Sequence, residues 1–250
     1  VSAVHAHLLH RPGNTPVHRL APQVKVVAAV TGVLCVVATP RERFWAFGLY
    51  LAVLAGVWVI ARIPPGWLAA RALIEVPFVV LALAFPFLAG GPTVEFLGLR
   101  LSEHGLLSGW NIAVKGTLGV LVSLTLAATT TPGELIVGLQ RLRVPTMVIT
   151  IATLMLRYLD VIAAEARRMR IARICRGHDP RFLWQVGATA RGIGTLFIRS
   201  YERGERVHLA MVSRGWTGAM PDQGQPAGRR TWLVGLIPTA LAAIVLGIAL

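Results

Sequence analysis

The sequence predicts an all-α integral membrane protein, with about five transmembrane helices and a cytoplasmic domain built on two long amphipathic helices. Three observations predict it. The 250-residue chain is 55% hydrophobic and only 14% charged, with a mean hydropathy of +0.64; a soluble domain needs more charge to cover its surface. Six long apolar stretches recur along it. Its formal net charge is +14, and the positive residues cluster rather than spread. Such an excess suits a protein lying along an anionic leaflet or meeting an acidic partner. It does not point to nucleic acid, because RNA-binding modules are not built around long apolar runs.

The six apolar stretches are Val24–Thr39, Phe44–Ala61, Glu75–Gly90, Gly105–Thr130, Thr146–Ala163 and Thr231–Ala249. A transmembrane helix needs about 20 mostly apolar residues, so the first and third borrow flanking residues. Pro77 and Pro86 are expected to bend the third. Taking all six as spans creates a contradiction. Residues 133–216 hold fourteen arginines against six acidic residues, and the N-terminal segment holds Arg11, Arg19 and Lys25. Positive charge marks the cytoplasmic side, so an even number of spans must separate these regions.

The stretch to demote is Thr146–Ala163. It contains Arg157 and Asp160, which are costly at a bilayer centre. Its apolar positions, Ile151, Met155, Leu159, Ile162, Ala166 and Met169, continue at helical spacing past the supposed membrane end. Pro145–Arg176 therefore reads as one long amphipathic helix. Five spans remain, with the N-terminus inside and the C-terminus outside. A second long helix follows. Gly177 is its predecessor's stop, Asp179 a cap and Pro180 a start. Its stripe runs Phe182, Val186, Ala190, Ile193, Phe197, Tyr201, then Val207 or His208, and Met211, and it ends at Gly215. A shorter piece, Pro132–Arg143, precedes both, with Glu134 in its first turn and Arg141 and Arg143 in its last. The predicted organisation is residues 1–131 as four spans, 132–216 as the cytoplasmic domain, and 217–250 as a linker and a last span.

The two long helices each end in an Arg-Gly pair, Arg176-Gly177 and Arg214-Gly215. Such pairs are common, and Arg191-Gly192 and Arg203-Gly204 also occur, so context must carry the claim. The negative end of a helix dipole favours Arg there. A guanidinium fork makes bidentate contacts with carboxylates and reaches carbonyls in a groove. Two such ends make a bivalent docking device.

At these residues the chain resembles a known family. "EARRMRIARICRG" (Glu165–Gly177) and "AMVSRGWTG" (Ala210–Gly218) are similar to the two Arg signatures of the transmembrane coupling, or T, component of energy-coupling factor (ECF) transporters. Cys175 and Ser213 stand where the family commonly has alanine. "TPVHRLAPQVKV" (Thr15–Val26), "LQRLRVP" (Leu139–Pro145) and "LMLRYLDVIAAEARRMR" (Leu154–Arg170) further resemble the cobalt-type, CbiQ-like members. The resemblance covers most of the chain and is weakest over 42–108. It implies a non-catalytic multi-pass subunit of the bacterial cell membrane. The partners it implies are a pair of cytoplasmic ATPases, a substrate-binding membrane (S) component, a small auxiliary membrane subunit and membrane lipids. Arg176 and Arg214, with Cys175, Gly177, Ser213 and Gly215 beside them, are the implied ATPase-docking residues. The solute that the resemblance implies is cobalt or nickel, with a vitamin as the alternative.

Other motifs are weaker. No GxxxxGK[ST] phosphate loop exists, so ATP is expected on partner subunits and no cofactor in this chain. The glycines of "ARGIGTLF" read as packing positions. His5, His7, His10 and His18 are imidazoles suited to Co, Ni or Zn, but no anionic ligand accompanies them, and no metal site is assigned. Glu75 is either buried in the third span or at its cytoplasmic end, the second favoured because Arg71 is one turn away, and Lys115 is expected to snorkel. Arg157 and Asp160 are expected to pair within their helix. Cys35 and Cys175 form no CxxC or zinc pattern. A self-sufficient secondary transporter would show more intramembrane charge and paired broken helices. A membrane-bound enzyme would need a catalytic cluster, and none is apparent.

Overall fold

Apolar runs punctuated by proline become helices here, as the hydropathy requires. The computed structural model describes residues 10–88, 93–96, 99–177, 186–220 and 227–250. His5, His7, Asp179, Pro180, Phe182 and Pro221 lie outside the described residues. The helices are α1 (Pro16–Arg19), α2 (Pro22–Ala38), α3 (Phe44–Ala61), α4 (Pro65–Ala72), α5 (Val76–Leu88), α6 (Glu103–Thr129), α7 (Pro132–Arg141), α8 (Thr146–Cys175), α9 (Val186–Val212), α10 (Arg229–Gly235) and α11 (Ile237–Ala249). Between α5 and α6 lies a small antiparallel hairpin, β1 (Thr93–Phe96) and β2 (Leu99–Ser102), pairing Thr93 with Ser102 and Phe96 with Leu99. It stands where the sequence reads only as a loop. The fold is otherwise all-α.

The chain divides into two compact units, one of residues 7–141 with 225–250, the other centred on 142–224. In the first, α3, α6 and the run Pro65–Pro86 are each long and apolar enough to cross a membrane, and α10 with α11, bent by 49° at their break, is so as a pair. Pro238 explains that bend, because it removes an N–H and crowds the preceding turn. α2 is apolar but shorter. These helices make the protein a multi-pass membrane protein. Their outward residues, such as Val59, Ile74, Phe78 and Leu83, are exposed, as a lipid-facing surface requires.

Two apolar clusters fill this unit. Phe47 and Tyr50 of α3 meet Cys35 and Val36 of α2, Leu118 of α6 and Val245 of α11. Nearer the other end, Ala61, Ile63 and Leu68 meet Leu121, Leu124 and Ala128 of α6. Polar groups in lipid must be satisfied internally, and several are. Tyr50 Oη and Thr39 Oγ1 are 2.8 Å apart, and Trp58 Nε1 donates to Thr125 Oγ1 at 2.8 Å. Lys25 Nζ donates to His18 O at 2.9 Å and Thr129 O at 2.8 Å, tying the start of α2 to the end of α6. Lys115 Nζ donates to Val37 O at 2.8 Å.

The third span corrects an expectation. It begins at Pro65, not near Glu75, and runs through a 3-10 turn at Leu73–Glu75. Pro77 supplies no N–H for Leu73 O, and Val76 N–H takes that carbonyl instead. Glu75 thus sits midway along a 22-residue run rather than at its end. It is 4% exposed, and its carboxylate lies over Gly116 of α6, where a Cβ would come within 2.8 Å of Oε1. α5 lies equally close to α6 at Gly109, where a Cβ would come 2.4 Å from Ala82 O.

The helix α7 opens with a reciprocal capping pair. Thr131 N–H donates to Glu134 Oε2 at 2.9 Å, and Glu134 N–H to Thr131 Oγ1 at 3.2 Å, the arrangement expected of Thr-x-x-Glu before an apolar run. Gly138 of α7 packs on Pro22 and Gln23 at the start of α2.

In the second unit α8 is a single 30-residue helix and α9 a 27-residue one. By length and composition alone, α8 also passes as a span. The apolar stripes are open in part: Ile151, Met155 and Leu159 on α8, and Ile193, Phe197 and Tyr201 on α9, are all exposed.

Candidate docking site

Local hydrogen bonding makes the two Arg-Gly ends alike. α8 stops at Cys175, and Arg176 is its C-cap. Arg176 N–H reaches back to Arg173 O at 3.1 Å, and Gly177 N–H to Ile174 O at 3.0 Å. Gly177 has φ +78°. At the end of α9, Ser213 N–H still bonds Leu209 O at 2.9 Å, Gly215 N–H bonds Val212 O at 2.9 Å, and Trp216 N–H bonds Met211 O at 3.0 Å. Gly215 has φ +81°. This is a Schellman cap, with glycine in the left-handed position just past the helix. Both arginines therefore hold the same place, the last residue before the left-handed glycine. Cys175, Arg176, Gly177, Ser213, Arg214 and Gly215 are all exposed.

Trp216 was not singled out by sequence reasoning. Its ring meets His208, one turn inside α9, edge to face with centroids 5.8 Å apart. An aromatic just after Arg-Gly, eight residues past a His, was the available signal.

Two further contacts orient the helices within this unit. Arg173 Nη1 donates to Thr189 Oγ1 at 2.8 Å, so the end of α8 lies beside the start of α9. Glu165 of α8 takes Arg168 of its own helix at 2.7 Å and Arg199 of α9. The hydrogen bond from Arg168, and then that from Arg199, holds the Glu165 carboxyl below the usual carboxylate range. Residue 173 facing 189, and 165 facing 199, means that α8 and α9 run antiparallel. Arg176 and Arg214 then lie at opposite ends of the pair, separated by up to roughly 40 Å at 1.5 Å per helical residue. The structure does not gather the six residues into one pocket. It displays them as two separate forks.

Arg191 and Arg203, the other two arginines before glycine, fall inside α9. Neither caps a helix. Among the described residues no group of three or more His, Cys, Asp or Glu could hold a metal. His18 has both ring nitrogens engaged, Nδ1 with Thr15 Oγ1 at 2.6 Å and Nε2 with Arg11 O at 3.2 Å.

Against this geometry, comparison with known proteins is decisive. Residues 13–226 match the family model of the cobalt transport protein CbiQ. The chain belongs to the CbiQ family. It is 31% identical over 195 residues to the cobalt transport protein CbiQ of Rhodobacter capsulatus, covering 78% of each chain. It is 27% identical over 227 residues to the energy-coupling factor transporter transmembrane protein EcfT of Bacillus subtilis, covering 83% of each. A putative fused cobalt transport protein CbiMQ of Methanocorpusculum labreanum is 25% identical over 214 residues, 82% of this chain and 36% of that one. As a CbiQ-like T component of ECF transporters, the chain is a membrane component of a transporter. The matched residues include α7, α8, α9 and both Arg-Gly ends.

Proposed function

We propose that this subunit couples cytoplasmic ATPase motion to a substrate-binding membrane component, in the uptake of cobalt. The observation that carries the reading is the pair of exposed arginines, Arg176 and Arg214, each just before a left-handed glycine, at opposite ends of two antiparallel helices. Each guanidinium fork enters a groove on one of two ATPase subunits, which bind and hydrolyse ATP. Glycine in the left-handed position turns the chain away immediately after each fork, leaving it free to insert. The 30-residue and 27-residue helices act as levers. Because Glu165 and Arg199 link them, displacement of one end is passed to the other helix.

The open stripes on α8 and α9 take the substrate-binding component. Contiguous exposed apolar surface on a protein marks an interaction site, and Met155, Phe197 and Tyr201 are each more than half exposed. The printed name of the fused relative, CbiMQ, supports a partner that works beside this chain. Cobalt is favoured over nickel or a vitamin by the names of the family model and of the Rhodobacter relative. The reading is tested by replacing Arg176 and Arg214 together and measuring ATPase co-purification and cobalt uptake. Wild-type behaviour of that double variant sinks it.

A further inference from the structure

The membrane unit contains two adjoining pockets of different character. The first is a crevice of about 310 Å³ between α2, α3, α6 and α11. Its walls are apolar, with Ala28, Gly32, Val57, Val122 and Leu126 among them. The lysine on its edge, Lys25, points its amine at two carbonyls. The second, about 440 Å³, has a mixed lining formed by residues 11–16, His18 and the end of α3, with Arg11 and Arg62 on its rim. Pro16 and Ile60 belong to the walls of both, so the apolar crevice and the basic pocket adjoin.

Among the described residues no carboxylate pairs with Arg11 or Arg62, and both are exposed. His18 spends both ring nitrogens within the chain, and Arg19 is held by Asn14 Oδ1 at 3.0 Å. The two arginines are therefore the donors left for an anion. Arg62 is also placed unusually. It has φ +53°, and Ile63 N–H closes to Trp58 O at 3.0 Å. It thus occupies a left-handed position just past a helix, as Arg143 does after α7 with φ +61° and as Gly177 and Gly215 do after α8 and α9. A bulky residue held there is a candidate for function.

From this geometry we propose that the paired pockets are a binding site for an anionic phospholipid, an acyl chain in the crevice and the phosphate between Arg11 and Arg62. The level fits. Arg62 caps α3 and Arg11 N–H bonds Ala128 O near the end of α6 at 2.9 Å, so both lie at span ends, where basic residues meet the anionic cytoplasmic leaflet. A free phosphate would leave the apolar crevice unused, and a neutral lipid would leave the two guanidiniums unmatched.

The test uses the full chain in nanodiscs of phosphatidylglycerol mixed with phosphatidylcholine, followed by gentle extraction and mass spectrometry of retained lipid. Wild type should retain phosphatidylglycerol over phosphatidylcholine. Arg11→Gln with Arg62→Gln should reduce that preference by roughly 30-fold, about fivefold for each charge near an anionic surface. Ala28→Phe with Val57→Phe, which fills the crevice and keeps the arginines, should also release the lipid. Equal retention of the two lipids by wild type overturns the proposal with no variant needed. An unchanged preference in the glutamine pair or in the filled-crevice variant overturns it too. Displacement of phosphatidylglycerol by millimolar inorganic phosphate would assign the basic pocket to free phosphate instead.

Discussion

Glu165 of α8 and Arg199 of α9 form the ion pair that joins the two long helices, 34 residues apart in sequence and side by side in space. Arg168 shares the same carboxylate. The Glu165 carboxyl sits below its ordinary value, so its contribution to the folded state is present above the unfolded value. That contribution is lost as pH falls through the lowered folded value. Acidification below about pH 4.5 should therefore loosen α8 from α9, and Glu165→Gln should do so at neutral pH. Hydrogen exchange of the amides near 165 and 199 reads this directly. Protection that is unchanged in Glu165→Gln would show that the pair does not hold the crossing.

Arg176→Ala and Arg214→Ala should each weaken ATPase association. Truncating a buried, hydrogen-bonded interfacial arginine costs about 2–5 kcal/mol. The double change should be worse than either, because two tethered contacts raise each other's effective concentration. Lys at either position should rescue poorly, since it loses the planar fork. Arg191→Ala and Arg203→Ala are the controls, placed within α9 and not at its end. Equal damage from the controls would assign the effect to general basicity.

The glycines beside the two arginines should matter for a separate reason. Gly177 and Gly215 sit at φ +78° and +81° with open space around them. Alanine there meets no neighbour, yet a left-handed conformation costs it about 1–2 kcal/mol. Gly215→Ala should fray the end of α9 and misdirect Arg214, whereas Gly215→Asn should be milder. Limited proteolysis around 212–218, beside an ATPase pull-down, distinguishes the two.

Two glycines of α6 offer a packing test on one helix. A Cβ at Gly109 meets the backbone oxygen of Ala82, which cannot rotate away, while one at Gly119 meets nothing within 4 Å. Gly109→Ala should lower stability by about 1–3 kcal/mol through overpacking. Gly119→Ala should be neutral or raise it by about 0.5–1 kcal/mol, as for glycine in a helix interior. Thermal unfolding of the detergent-solubilised chain compares them.

Topology follows from the charge asymmetry. Single cysteines near residues 12 and 250, in a background lacking Cys35 and Cys175, should label from opposite sides, the N-terminal one from the cytoplasm. Equal accessibility from the cytoplasm would mean an even number of spans, with α8 counted as one of them.

What the sequence determined by itself is what local order encodes. Apolar runs and prolines marked α3, α6 and α8, because a helix is written in the periodicity of its own residues. The capped arginines were legible for the same reason, since Arg176 and Arg214 are set by the few residues on either side. Tertiary structure alone decided the relations between distant segments. It placed Glu75 in the middle of a span by fusing α4 and α5 into one run, and it gave that carboxylate a berth over Gly116. It set α8 against α9 through Glu165 and Arg199, and turned Lys25 onto the last carbonyl of α6. It also left the stripes of Ile151 and Phe197 open. Periodicity tells which side of a helix is apolar. What covers that side depends on close approaches between residues far apart in the chain, and on partner surfaces that this chain does not encode.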